Sequence, residues 1–232
     1  MTTNVETAVP TQKKRMKRIP LTYVVALVPV AVALNIVGGQ INTALHLPTF
    51  LDMIGTAVVA IVLGPWWGAL VGATTNIVAS FISGPISLPF AACNVVGALV
   101  WGYPVRWGWG KKFWSFGLIN IAVAFFVSLT AVPIYVFIFG GATGHFSDMM
   151  TAAFLAMGQN LIVSVFSSNI LVSLADKIIS GFVALAIIEA LPANLTQGIE
   201  LPKAERIGKI VWITGGIVLG VAIALIMLAI QK

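Results

Sequence analysis

Long apolar stretches alternate along this chain with short polar or glycine-proline breaks, and the stretches have helix length. A membrane-crossing helix needs about 20 mainly apolar residues, because the hydrocarbon core is about 30 Å thick and an α-helix rises 1.5 Å per residue. By that measure a first span is expected from Ile19 to Gly38 and a second from Phe50 to the break at Gly64-Pro65. A third runs from Trp66 to Ser83, closed by Gly84-Pro85, and a fourth from Leu88 to about Pro104. A fifth extends from Phe113 to Phe139 and ends in the stretch holding Gly140, Gly141 and Gly144. The last, Ile207 to Ile230, lies behind the polar linker Pro192–Arg206. The first stretch has the basic flank of a signal peptide. Its apolar run is long for one, however, and no small-residue cleavage site stands clear of it, so it reads as a retained helix.

Segment Met149–Leu191 fits less simply. Its 43 residues would extend about 64 Å if wholly helical, too far for one crossing. Two full crossings would place basic loops on both faces of the membrane. The expectation is therefore one non-crossing or re-entrant helix near Met149–Phe166, followed by one span from Asn169 to Leu191. Such a piece is tolerated at membrane depth only where protein or a water-filled cavity surrounds it. It points to a cavity on the outer side.

Composition narrows the class. The chain is 59% hydrophobic and 9% charged, against about 25% charged in soluble globular proteins, and its mean hydropathy is +1.02. That excludes a soluble enzyme, a disordered protein and a nucleic-acid binder. The net charge of +6 comes largely from Lys13, Lys14, Arg15, Lys17 and Arg18, directly before the first span. Such a cluster marks a cytoplasmic end. Loops Gln40–Thr49, Gly84–Ser87 and Gly140–Asp148 carry no lysine or arginine, whereas Arg106–Lys112 and Pro192–Arg206 do. Counting crossings from a cytoplasmic N-terminus puts every basic loop inside. The one cysteine, Cys93, makes an intramolecular disulfide impossible.

Enzyme signatures are missing: the chain has no P-loop, no H-E-x-x-H and no G-x-S-x-G. Neither catalysis nor a cofactor is expected, and His46 and His145 stand too far apart in sequence to suggest a metal pair. Chemistry instead gathers at the outer ends of the spans. A lone ionisable group costs about 2.5–3.5 kcal/mol at the bilayer centre, so those present invite a ligand-binding reading. Asn42, Asp52, Asn76, Asn94, Gln159, Asn160, Asn169, Asp176 and Lys177 form the candidate set. Phe90 and Tyr135, with Phe50 and Phe81, are the stacking candidates. Amides also join helices to one another, which is the plainer alternative for each of them. Asp176 and Lys177, adjacent on a helix, do not face each other and are expected to need separate partners. Gly64, Gly68 and Gly72 recur every four residues, a spacing that permits close helix approach inside the bundle or against a partner. Trp66, Trp67, Trp101, Trp107, Trp109 and Trp114 cluster toward the inner interface, where an aromatic belt accounts for most of them. The ligand expected is a neutral or zwitterionic polar molecule, preferably a nucleoside-like or other nitrogen heterocycle.

The basic N-terminus, L-D-M-I-G-T at Leu51–Thr56, L-G-P-W-W-G-A-L-V-G-A-T-T-N at Leu63–Asn76, L-P-F-A-A-C-N at Leu88–Asn94 and A-D-K-I-I-S at Ala175–Ser180 together resemble the substrate-binding S components of energy-coupling factor (ECF) transporters. The resemblance covers roughly Ile19 to Pro192. It implies an all-α, six-helix membrane bundle in a prokaryotic plasma membrane that binds a vitamin or related metabolite near the outer face. It also implies docking on an ECF module of one membrane coupling subunit and two ATPase subunits. Ala26, Val30, Ala33, Gly68 and Gly72 would be the docking positions, with Val30 standing where the family often has the second alanine of A-x-x-x-A. On this reading residues 1–18 form a cytoplasmic tail, 19–192 the binding domain, 193–206 a cytoplasmic linker and 207–232 a transmembrane helix beyond the usual six. A membrane sensor domain and a stand-alone secondary transporter are the alternatives.

Overall fold

The structure, a computed structural model, describes residues 20–230; the basic cluster at Lys13–Arg18 lies outside the described residues. These residues fold into helices with no strand among them. α1 (Leu21–Leu45) leads through an irregular segment into the short α2 (Ile54–Val62), which turns at Gly64 into α3 (Pro65–Ser83). α4 (Ala91–Arg106) and α5 (Phe113–Pro133) follow, and α5 continues as one wide π turn, Ile134–Ile138. α6 (Ser147–Ala156) lies along the first turns of α7 (Leu161–Ala190), where Thr151 and Ser168 hydroxyls bond at 2.6 Å. A single turn, α8 (Ala193–Thr196), precedes α9 (Arg206–Ile230).

Burial is inverted relative to a protein in water. Large apolar side chains face outward, with Phe81 85%, Phe137 80% and Ile207 77% exposed, while Asn35, Asn120 and Ser173 are wholly buried. Among the described residues five helices are long and apolar enough to cross a membrane: Leu21–Leu45, Pro85–Arg106, Phe113–Ile138, Leu161–Ala190 and Arg206–Ala229. The chain is a polytopic membrane helix bundle. α3, with 19 residues, is not among the five; Thr74, Thr75, Asn76 and Ser80 make it more polar.

Two expected elements come out differently. The second span, Phe50–Gly64, is a nine-residue helix only about 14 Å long, preceded by non-helical backbone, and the two together carry the chain from the Asp52 end of the bundle to the Arg106 end. Its apolar sequence reflects burial at the bundle centre, since every residue from Ile54 to Val62 is buried. In Met149–Leu191 the non-crossing helix is shorter than expected, ending at Ala156, and the following helix begins at Leu161 rather than Asn169. At 30 residues α7 is about 45 Å long, so helix overshoot absorbs the excess length. α1 likewise runs past Gly38 to Leu45, which places Asn42 on a helix rather than in a loop.

One end of the bundle collects the basic residues. Arg106 Nη1 donates to the Ala60 carbonyl at 2.8 Å, Lys111 pairs with Glu200 at 2.7 Å, and Asn194 Nδ2 donates to Tyr23 at 2.6 Å. Trp66, Trp67, Trp107, Trp109 and Trp114 are exposed toward this end, whereas Trp101 is a core residue bonded to Asn120 at 2.9 Å. α9 packs on α7, with Gly216 against Phe182 and Gly220 against Ala175 and Ile179.

Candidate functional site

At the opposite end the bundle holds a cavity of about 330 Å³. Its most unusual wall is the backbone between α1 and α2. α1 ends at His46 in the left-handed conformation (φ 49°), and the chain then runs without helix to Met53. Non-helical backbone inside a membrane bundle needs a partner for each amide. Asp176 on α7 supplies one: its Oδ1 accepts from the Phe50 amide at 3.0 Å and from the Leu51 amide at 2.7 Å. Leu51 is held at φ 55°, a conformation that costs a side-chain-bearing residue about 1–2 kcal/mol, so these bonds offset local strain. Gly38 makes room, since a Cβ there would strike the Leu51 carbonyl. Lys177 pairs with Oδ2 of Asp176. This corrects the expectation of separate partners: the four-carbon lysine arm is long enough to fold back onto the neighbouring carboxylate.

Beneath the segment a chain of buried polar groups joins four elements. Asn35 on α1 donates from Nδ2 to Thr56 Oγ1 (2.9 Å) and Thr75 Oγ1 (3.0 Å), and its Oδ1 accepts from the Gly55 amide at 2.7 Å, capping α2. Thr56 donates to Asn94 Oδ1 at 3.0 Å, and Asn94 Nδ2 reaches Asp52 Oδ2 at 3.3 Å. Both Nδ2 hydrogens and the Oδ1 of Asn35 are bonded, which makes burial of the amide affordable. Asn169 on α7 differs. Its side chain is 1% exposed, its Oδ1 accepts from Ser173 at 3.4 Å, and its Nδ2 has no partner. That donor belongs to a residue of the cavity wall.

The rim is aromatic. Phe50 stacks on His145 with centroids 4.5 Å apart, and Phe90 lies edge-on to Tyr135 at 5.2 Å and stacked on Phe139 at 5.8 Å. The π turn after Pro133 turns Tyr135 into the bundle, where it is buried. His145 accepts at Nδ1 from the Ser147 amide (3.2 Å) and donates from Nε2 to the Thr49 carbonyl (3.0 Å), the pattern of a neutral ring. Burial pushes its pKa below the ordinary value, against the Thr49 carbonyl, Asp148 and Asp176, which favour the cation. Thr49 also donates to Asn42 Oδ1 at 2.8 Å, which ties the α1–α2 segment to α1, while the His145 bond to the Thr49 carbonyl ties it to the α5–α6 loop.

The structure gathers Asn42, Asp52, Asn76, Phe90, Asn94, Tyr135, Asn169 and Lys177 around this one space. Asp176 stands behind it, holding the wall. Gln159 and Asn160 do not belong to it. Both are exposed in the α6–α7 turn, and Asn160 caps α7 by accepting from the Val163 amide at 3.0 Å. Phe81 faces outward instead of inward. The docking assignment of Gly68 and Gly72 is also corrected, because both are buried inside the bundle. A Cβ on Gly68 would meet Ala60, and one on Gly72 would lie 2.8 Å from Asn94 Cβ. Ala26, Val30 and Ala33 lie on the exposed face of α1. His46 is exposed, and among the described residues no three His, Cys, Asp or Glu side chains gather as a metal site. Sequence reasoning missed Asn35, Gln40, Thr75 and His145 on the wall; only Asn35, an amide within an apolar helix, carried a signal. No family model, curated protein or solved structure matches this chain.

Proposed function

We propose that this chain binds a small metabolite in the cavity and serves as the S component of an ATP-driven ECF importer. The observation that carries the reading is the cavity itself, a space of about 330 Å³ inside a membrane bundle, walled by amides and aromatic rings. The cavity lies at the end away from Arg106, Lys111, Lys112, Lys203 and Arg206, so under the positive-inside rule it opens outward, as uptake requires. Energy then comes from a coupling module of a membrane subunit and two ATPase subunits, docked on the face bearing Ala26, Val30 and Ala33.

Native mass spectrometry of the purified chain is expected to show one co-purifying small molecule. Proteoliposomes are expected to accumulate it only when coupling and ATPase subunits are present. Concentrative uptake by the chain alone would make it a secondary transporter.

A further inference from the structure

The charge of the metabolite can be read from the cavity, granted the metabolite-binding reading above. Two carboxylates, Asp52 and Asp176, meet one ammonium, Lys177. Lys177 is committed to Asp176 Oδ2, and the other Asp176 oxygen accepts from the Phe50 and Leu51 amides. Asp52 has only a long bond from Asn94 Nδ2 at 3.3 Å, and among the described residues it joins no ion pair. It lines the cavity, so carboxyl groups there outnumber the ammonium by one. A second carboxylate stands near the rim: Asp148 Oδ2 accepts from the Thr143 and Gly144 amides at 2.7 and 2.6 Å, without a basic partner. Every other described lysine or arginine lies at the far end of the bundle.

A carboxylate removed from water with no cation beside it is costly, and an incoming positive group relieves that cost. The aromatic wall acts in the same direction, since ring faces attract cations; Lys177 Nζ already stands 5.5 Å from the Phe50 centroid. An anionic ligand would face Asp52 while the nearby ammonium is occupied. We propose that the metabolite is an organic cation, a protonated amine or cationic nitrogen heterocycle paired with Asp52. This replaces the neutral or zwitterionic class expected from the sequence.

The test uses two sets of probes, each built on one ring: tryptamine, indole-3-acetamide and indole-3-acetate, and 1-methylnicotinamide, nicotinamide and nicotinate. Each is assayed on the purified full chain by thermal shift and by titration calorimetry. A cationic member is expected to bind best. Asp52→Asn is expected to weaken that cation by about 30-fold or more while leaving the neutral analogue unchanged. Preference for a neutral or anionic member, or an unaltered cation preference in Asp52→Asn, overturns the charge assignment and leaves metabolite binding standing. Silence from all six probes also overturns it, and metabolite binding is then judged separately by the co-purifying molecule. If Asp52→Asn does not fold, the ranking within each set on the unmodified chain decides.

Discussion

At the scale of single residues, similar amides do different work. Asn35 is saturated by Thr56, Thr75 and the Gly55 amide, so Asn35→Ala orphans buried groups worth about 1–3 kcal/mol each. A clearly lowered melting temperature in detergent is the expected result. Asn160→Ala removes only a helix cap, worth about 1 kcal/mol, and is expected to leave ligand affinity untouched by calorimetry. His145 supplies a pH dependence whose sign follows from its burial. Its folded pKa lies below the ordinary value of 6.5, so the protonated form favours the unfolded chain. The contribution is fully present above about pH 6.5 and is lost as pH falls through the folded pKa. Hydrogen-exchange protection in the Gly140–Phe146 loop, corrected for the intrinsic pH dependence of amide exchange, is expected to fall on acidification. His145→Phe, which keeps a ring against Phe50, should flatten that response.

At the scale of elements, the irregular His46–Met53 segment and α7 depend on each other. Asp176 terminates two segment amides and one ammonium, so Asp176→Ala strands Lys177 in a buried site. Breaking such a pair from one side costs about 3–5 kcal/mol. The double change Asp176→Asn with Lys177→Met keeps an oxygen for the Phe50 and Leu51 amides and removes both charges. It is expected to melt well above Asp176→Ala. Equal melting of the two would show that charge pairing plays no part in holding the segment.

At the scale of the whole molecule, polarity runs from end to end. The cavity end carries Asp52, Asp148 and the Asp176–Lys177 pair, and the far end carries Arg106, Lys111, Lys112, Lys203, Arg206 and Lys209. Cysteines placed at Thr43 and His46, both exposed, in a Cys93→Ala background should react with an impermeant reagent from one face of the membrane. Those at Lys112 and Gln197, also exposed, should react from the other. Labelling of all four from one face would overturn the arrangement.

The membrane class, the helical architecture and the non-crossing piece before α7 were legible in the chain, because burial in lipid demands long apolar runs and charge avoids crossing. The half-length α2 was not legible, since a buried helix and a membrane span are both uniformly apolar. The pairing of Asp176 with Lys177 was hidden too, because helical spacing describes where side chains start and not where a flexible lysine ends. Asn160 and Asn169 look alike as letters nine positions apart. Only packing decides that one caps a helix in an exposed turn while the other is enclosed by the cavity wall with its donor unspent, for enclosure depends on segments far away in sequence.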